Sequence, residues 1–347
     1  MSVVRVLCAA AAAVLCALSA GAQPLCRFTV KVGIDRHSVD SLGGEERVRE
    51  HIRSMFREVD RAFNCRRDFR AVYHFDVDWD AFYIYDGVSL DEVFKPHPDH
   101  DYLVVMDGYK SDSREVGGGW YGGDIQAVYH SRTHNDRFNS PFEKNAVDGI
   151  IHEFGHSRGM PDIYAMQVDA AKNPVSGTAC HGVRCIMNYP YGERHWSRYA
   201  VNMIDLAADK RIEIDSLVAA MCPRHIRITL RDAEGKPVRN ARIRLYPVGW
   251  YSYAVSAEPV AERSTGRRGR CVLPGDIYGR CEEFGLRYPN LLVEAESDGR
   301  KAYGWLPLYE VQNARFDGLD SYDLDLRLRD DGPSVPSAFD IERHSKH

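Results

Sequence analysis

The sequence predicts two modules in series: an α/β (α+β) domain with a mixed, twisted sheet over residues 23–222, then a small all-β sandwich over residues 223–330. Three observations carry that reading. Strand-like and helix-like hydrophobic patterns interleave up to Cys222-Pro223, and beyond it period-two alternation dominates. The 347 residues, 44% hydrophobic and 27% charged, are enough for two cores at roughly 100–200 residues per domain. That composition excludes collagen, wholesale disorder and a multi-pass membrane protein. A net charge of −5 argues against a dedicated nucleic-acid binder, which needs a basic face.

Taken in order, Arg5 precedes an apolar run from Val6 to Leu18, and Ala20-Gly21-Ala22 follows. This is the pattern of a signal peptide over residues 1–22, cut after Ala22, and the protein reads as secreted, extracellular or periplasmic. A bilayer span needs about 20 apolar residues, so no membrane span is expected after cleavage. Removal of Cys8 and Cys16 leaves seven of the nine cysteines as disulfide candidates in an oxidising compartment. Proximity favours Cys26 with Cys65, Cys180 with Cys185 and Cys271 with Cys281, leaving Cys222 over; connectivity stays open.

Phe28, Val30, Val32 and Ile34 alternate as in a half-buried strand. Gly43-Gly44 opens a helix carrying Val48, Ile52, Met55, Val59 and Phe63 at helical spacing. Residues 69–85 read as a long or paired strand, and residues 102–106 as another. The glycine-rich segment 117–123, which holds Trp120 and Tyr121, leads into a β-like run over 125–130. Ser140-Pro141-Phe142-Glu143 has the spacing of a capping box with proline at the first helical position. The helix that follows carries Val147, Ile150, Ile151 and Phe154 inward. In the second module Ile226, Ile228 and Leu230 alternate, as do Ala241, Ile243 and Leu245, then Leu324, Leu326 and Leu328. Residues 331–347 have too little to bury and read as a flexible tail.

The chemistry lies at the end of the helix after Ser140, in His152-Glu153-Phe154-Gly155-His156-Ser157-Arg158-Gly159-Met160-Pro161-Asp162. Histidines four apart on a helix lie one above the other, so both imidazoles can reach one metal ion. Zinc suits nitrogen and oxygen ligands in a tetrahedral shell. Glu153 sits too close to His152 to serve easily as a ligand and is placed to take a proton from metal-bound water. Gly159 can stop the helix in a left-handed turn and Pro161 cannot continue it, so the chain turns back and offers Asp162 as third ligand. His181, His195, Glu193 and Glu213 remain open as alternatives at that position. His97, Asp99, His100 and Asp101 read as a solvated loop, and Asp76, Asp78 and Asp80 as an exposed strand face. One zinc ion is therefore expected, and Ca2+ has no support beyond composition.

These residues resemble the metzincin zinc endopeptidases, whose extended motif is HExxHxxGxxH with Asp replacing the last His in some members. The match runs through His152, Glu153, His156, Gly159 and Asp162. Cys185-Ile186-Met187-Asn188-Tyr189 is similar to the Met-turn of that group. Within the clan, residues 156–164 are most similar to the immune-inhibitor-A-like secreted peptidases and resemble the IgA-peptidase group less closely. The resemblance covers residues 148–189. It implies Met187 as an apolar floor beneath the zinc, Tyr189 as a donor to the transition state, and Glu153 as general base in peptide-bond hydrolysis. It also implies an edge strand over the cleft at 117–123, where Trp120 and Tyr121 would line subsites for an extended protein or peptide substrate. Cys26 is read as a disulfide partner rather than an inhibitory zinc ligand. Residues 232–245 resemble the first hairpin of carboxypeptidase-regulatory-like and bacterial Ig-like modules, which implies a spacer or a platform for a glycan or protein ligand. The alternative reading is a non-catalytic secreted or surface binding protein on the same scaffold.

Overall fold

The computed structural model describes residues 23–87, 89–108, 119–120, 125–129, 140–188, 194–209, 220–278 and 290–329. The signal-peptide segment, Tyr121, Tyr189, Glu193, Glu213, Cys281 and the C-terminal tail lie outside them. No helix among the described residues is long and apolar enough to cross a membrane.

The first sheet is built around β1 (Leu25–Asp35), which alternates exposed and buried residues over its first half and is buried throughout from Val32. Its order is β2-β1-β4-β6-β5, with β2 (Val72–Val77), β4 (Tyr102–Asp107) and β6 (Ile125–Tyr129) joined in parallel. The edge strand β5 (Gly119–Trp120) runs antiparallel to β6. A parallel neighbour requires a crossover, and α1 (Arg36–Leu42) with α2 (Glu45–Phe63) provides it between β1 and β2. Val48, Ile52, Met55, Val59 and Phe63 form the buried face of α2.

Two expected elements differ in detail. The stretch 69–85 is two strands, β2 and β3 (Tyr83–Tyr85), both parallel to β1 but pairing with different parts of it. Asp78 breaks the run by accepting from the backbone N–H groups of Asp80 and Ala81. The helix expected from Ser140 starts one turn later. Ser140 and Glu143 close a turn in which the Ser140 carbonyl accepts from Glu143 N and the Ser140 hydroxyl from Phe142 N. Beyond the short α3 (Ser89–Glu92), the helix that carries the motif is α4 (Lys144–Ser157). It is held to the sheet by Phe154, whose ring lies 4.5 Å from that of Phe75 and 5.2 Å from that of Tyr102. Near its start, buried Asp148 pairs with Lys144 (2.7 Å) and Arg194 (2.6 Å), and Arg194 also reaches Glu58 on α2.

After α5 (Arg198–Ala207) the described residues form seven strands: β7 (His225–Arg231), β8 (Arg242–Pro247), β9 (Ala261–Ser264), β10 (Arg270–Pro274), β11 (Leu291–Ser297), β12 (Arg300–Leu306) and β13 (Ser321–Arg327). They form a three-stranded sheet, β10-β7-β13, and a four-stranded sheet, β12-β11-β8-β9, whose facing side chains share one core. α6 (Leu308–Phe316) lies between β12 and β13 in the chain. The outer side of the four-stranded sheet is not left to solvent. Tyr246, Leu292, Tyr303 and Trp305 pack there with Val248 and Val255, and with Val168 and Cys180 of the first module. At about 1.5–3 kcal/mol for each large apolar side chain buried, this junction holds the modules firmly together. A second junction joins α5 to α6, where Tyr199 Oη donates to Gln312 Oε1 (2.8 Å) and Arg198 pairs with Asp317.

Cys26, Cys65, Cys180 and Cys185 are free thiols, so the Cys26–Cys65 and Cys180–Cys185 pairs expected from proximity are not formed. Cys26 lies in β1 beside Tyr73 of β2, whereas Cys65 is exposed beyond α2. Cys180 sits in the inter-module cluster, where burial pushes its thiol up to about 12. Cys185 belongs to the other core, its Sγ accepting from Ser197 N at 3.5 Å. Neighbours in sequence are thus turned into separate cores.

Candidate metal centre

α4 ends in a Schellman arrangement. Gly159 takes φ +82°, its N–H donates to the His156 carbonyl (2.9 Å), and Met160 N donates to the Gly155 carbonyl (3.1 Å). A side chain at that φ is strained, which is why glycine is needed at this stop. Three residues on, Asp162 precedes the 3-10 turn Ile163–Met166, and Ile163 N donates to the Met187 carbonyl at 2.8 Å. The carbonyl of Cys185 accepts from Asn188 N (2.9 Å), closing the turn that holds Met187.

These constraints bring His152, His156 and Asp162 together, with one potential ligand atom of each within 4.8 Å of the others. Asp162 Oδ1 lies 3.0 Å from His152 Nε2 and 3.2 Å from His156 Nε2. The other ring nitrogens settle the tautomers. His152 Nδ1 lies 3.0 Å from the Ile186 carbonyl and His156 Nδ1 2.7 Å from the Met160 carbonyl. A carbonyl only accepts, so both Nδ1 atoms donate, and each ring turns its Nε2 toward Asp162 Oδ1. Asp162 Oδ1 is buried without a hydrogen-bond donor of good geometry. Two imidazole nitrogens and a carboxylate oxygen converging on one point fit a cation, and they are a donor set that zinc accepts.

Glu153 is 7% exposed, adjacent to His152 on α4, and close enough that its charge favours a proton on His156. Its burial puts a carboxylate beside the two histidines. Met187 is fully buried beneath the same turn of α4. A Cβ at Gly155 would come within 2.6 Å of Met187 Sδ and 3.2 Å of Trp196, so the absence of a side chain at Gly155 lets Met187 close the site from below. Gly155→Ala should cost about 1–3 kcal/mol of stability by overpacking and weaken metal binding. Denaturant unfolding and zinc titration check this, and a variant unaltered in both would show that the floor is loose.

Burial alone would raise the Asp162 carboxyl, but His152 and His156 beside it hold it well below the usual carboxylate range. Burial would lower His156, and the Asp162 carboxylate overrides it, raising the imidazole above 6.5. The raised histidine stabilises the fold fully below about pH 6.5, and that part is lost as pH rises through its raised value. The depressed aspartate contributes above about pH 4, lost only as pH falls through its lowered value. The metal-free cluster thus stabilises most between those limits, whereas metal binding requires deprotonated histidines and strengthens above them. The rise in melting temperature on adding zinc to metal-free chain should therefore be larger at pH 7.5 than at pH 5.5. An equal rise at both would contradict this linkage.

Other expected residues are placed differently. His181 is exposed, and neither it nor His195 belongs to the convergent group. Tyr189, Glu193, Glu213 and Tyr121 lie outside the described residues, and of Trp120 only its place in the edge strand is described. His100 Nε2 lies 3.0 Å from Asp78 Oδ2, and Asp101 Oδ2 accepts from Thr29 N (2.8 Å), so these groups tie a loop to the sheet. Among the described residues the only three-ligand group is that of His152, His156 and Asp162.

One residue at the centre was not foreseen. Tyr251 Oη, from the loop between β8 and β9, donates to Asp162 Oδ2. Nothing in a local pattern links positions 89 residues apart, and the only sequence hint is the aromatic density of Trp250-Tyr251-Ser252-Tyr253.

Neither a protein-family model nor a curated protein matches the chain. Matching solved structures include catechol 1,2-dioxygenase from Acinetobacter sp. ADP1, at 15% identity over 33% of this chain and 56% of that one, with a TM-score of 0.17. The enzyme of Acinetobacter radioresistens matches at 12% identity over 36% and 58%, with a TM-score of 0.18. This chain spans a little over half the length of those proteins, and a likeness at these TM-scores carries no argument about fold or chemistry.

Proposed function

We propose that the chain is a secreted zinc-dependent endopeptidase. The observation that carries this is the convergence of His152 Nε2, His156 Nε2 and Asp162 Oδ1 at the end of α4, with both histidine tautomers fixed by backbone carbonyls. Glu153 beside them, the buried Met187 under Gly155, and an antiparallel edge strand preceding α4 all support the resemblance to metzincins.

Zinc, when bound, acidifies a water and polarises a carbonyl as a Lewis acid. His152, His156 and Asp162 would hold it, leaving a position open for water or substrate. Glu153 takes the proton from the attacking water and returns it to the leaving amine. An extended peptide would add as a strand along the edge strand β5, which pairs antiparallel with β6. Tyr189 is proposed as the donor that stabilises the oxyanion. A scaffold that had abandoned catalysis would have no physical need to bury a carboxylate such as Glu153 beside its metal ligands.

The reading is tested by metal analysis together with cleavage of an unstructured protein, with and without a chelator. One zinc per chain and chelator-sensitive cleavage, restored by zinc, is the expected result. Stoichiometric zinc with no cleavage would favour a binding protein on this scaffold instead.

A further inference from the structure

Within the loop between β8 and β9, whose Val248 and Val255 pack between the modules, two tyrosines are not shaped for packing. Tyr251 and Tyr253 both take φ +57°, a region that residues with a β-carbon rarely adopt, and Tyr251 remains 45% exposed. Strained backbone and an exposed aromatic ring are poor ways to build a core. The loop is instead held against the first module at three backbone points. Tyr251 N donates to the Ala165 carbonyl (3.1 Å), Asp169 N to the Tyr253 carbonyl (2.9 Å) and Val255 N to the Lys172 carbonyl (3.0 Å). All three contacts lie in the segment that follows Asp162.

The anchoring delivers one polar atom to a buried site. Tyr251 Oη donates to Asp162 Oδ2, while Asp162 Oδ1 is the oxygen that faces both histidines. Tyr164 Oη lies 3.2 Å from Tyr251 Oη, and the Tyr164 ring lies 6.1 Å from that of His152 at an interplanar angle of 27°. The two oxygens of Asp162 are thereby given separate tasks, one toward the metal position and one toward a phenol.

We propose that Tyr251 is a positioning residue of the metal centre, supplied by the β-sandwich, which fixes Asp162 as a ligand through a single oxygen. The inference rests on the metal-centre reading and deepens it: the second module completes the site and is not only a spacer or binding platform. A purely structural hydrogen bond between modules would affect folding but leave the metal's environment alone. A hydrogen bond that orients a ligand affects metal affinity and spectrum, typically 10–100-fold in affinity.

The test uses the chain carrying both modules, as wild type, Tyr251→Phe, Asp162→Asn and the double variant. Zinc affinity is measured by competition with a chromophoric chelator, and the visible spectrum is recorded with Co2+ in place of zinc. Tyr251→Phe should bind zinc about 10–100-fold more weakly and show altered cobalt bands, because Asp162 is then free to bind through both oxygens. In the Asp162→Asn background the same change should add little, since the phenol acts through that carboxylate. Wild-type affinity with an unchanged cobalt spectrum in Tyr251→Phe overturns the proposal. So does a Tyr251→Phe effect of equal size in both backgrounds, which is also how a general folding defect would register. A wild-type chain that takes up no zinc overturns the metal-centre reading itself, and this inference with it.

Discussion

Glu153→Gln should take up zinc as the wild type does while turnover falls by roughly 10²–10⁴-fold, the usual contribution of a positioned general base. Gln keeps the volume of the side chain and removes only its capacity to hold the proton. Because Glu153 is buried next to His152 and lies outside the convergent group of His152, His156 and Asp162, metal content and activity should separate in this variant. Steady-state cleavage and metal analysis on the same preparation measure both. Wild-type turnover would remove Glu153 from the chemistry, and loss of zinc would place it among the ligands.

Asp162→Ala should lose both. It removes one of three convergent ligand atoms and leaves the hydroxyl of Tyr251 without its acceptor. A partner that only orients a ligand is worth 10–100-fold in metal affinity, so loss of a ligand itself should exceed that. Zinc content after dialysis should fall to background and cleavage with it. An Asp162→Ala chain that keeps tightly bound zinc would hand the third position to another residue.

Local signals made the helix-borne half of this centre legible. Histidines four apart share a face of any α-helix, and Gly159 followed by Pro161 marks a left-handed stop whatever the rest of the chain does. The buried faces of β1 and α2 followed from hydrophobic periodicity for the same reason. Where side chains make local turns or join separate cores, periodicity and spacing mislead. Ser140 spends its hydroxyl on Phe142 N within a turn, so the capping-box spacing did not mark the first helical residue. Asp78 interrupts a run that hydrophobicity alone makes continuous. Cys180 and Cys185 are close in sequence, but each side chain is claimed by a different core. Tyr251 was beyond reach because the contact depends on how one module docks on the other, which no local pattern encodes.

The docking also changes the meaning of the second module. A two-sheet module whose outer sheet face is covered by Val168 and Cys180, and whose β8–β9 loop reaches Asp162, is integrated with the first module rather than strung after it.

Anomalous diffraction at the zinc edge from crystals of the chain grown with zinc tests the central claim most directly. One peak is expected at about 2.0–2.2 Å from His152 Nε2, His156 Nε2 and an Asp162 oxygen. A crystal with no peak at this position, or with zinc held by another set of residues, would contradict it.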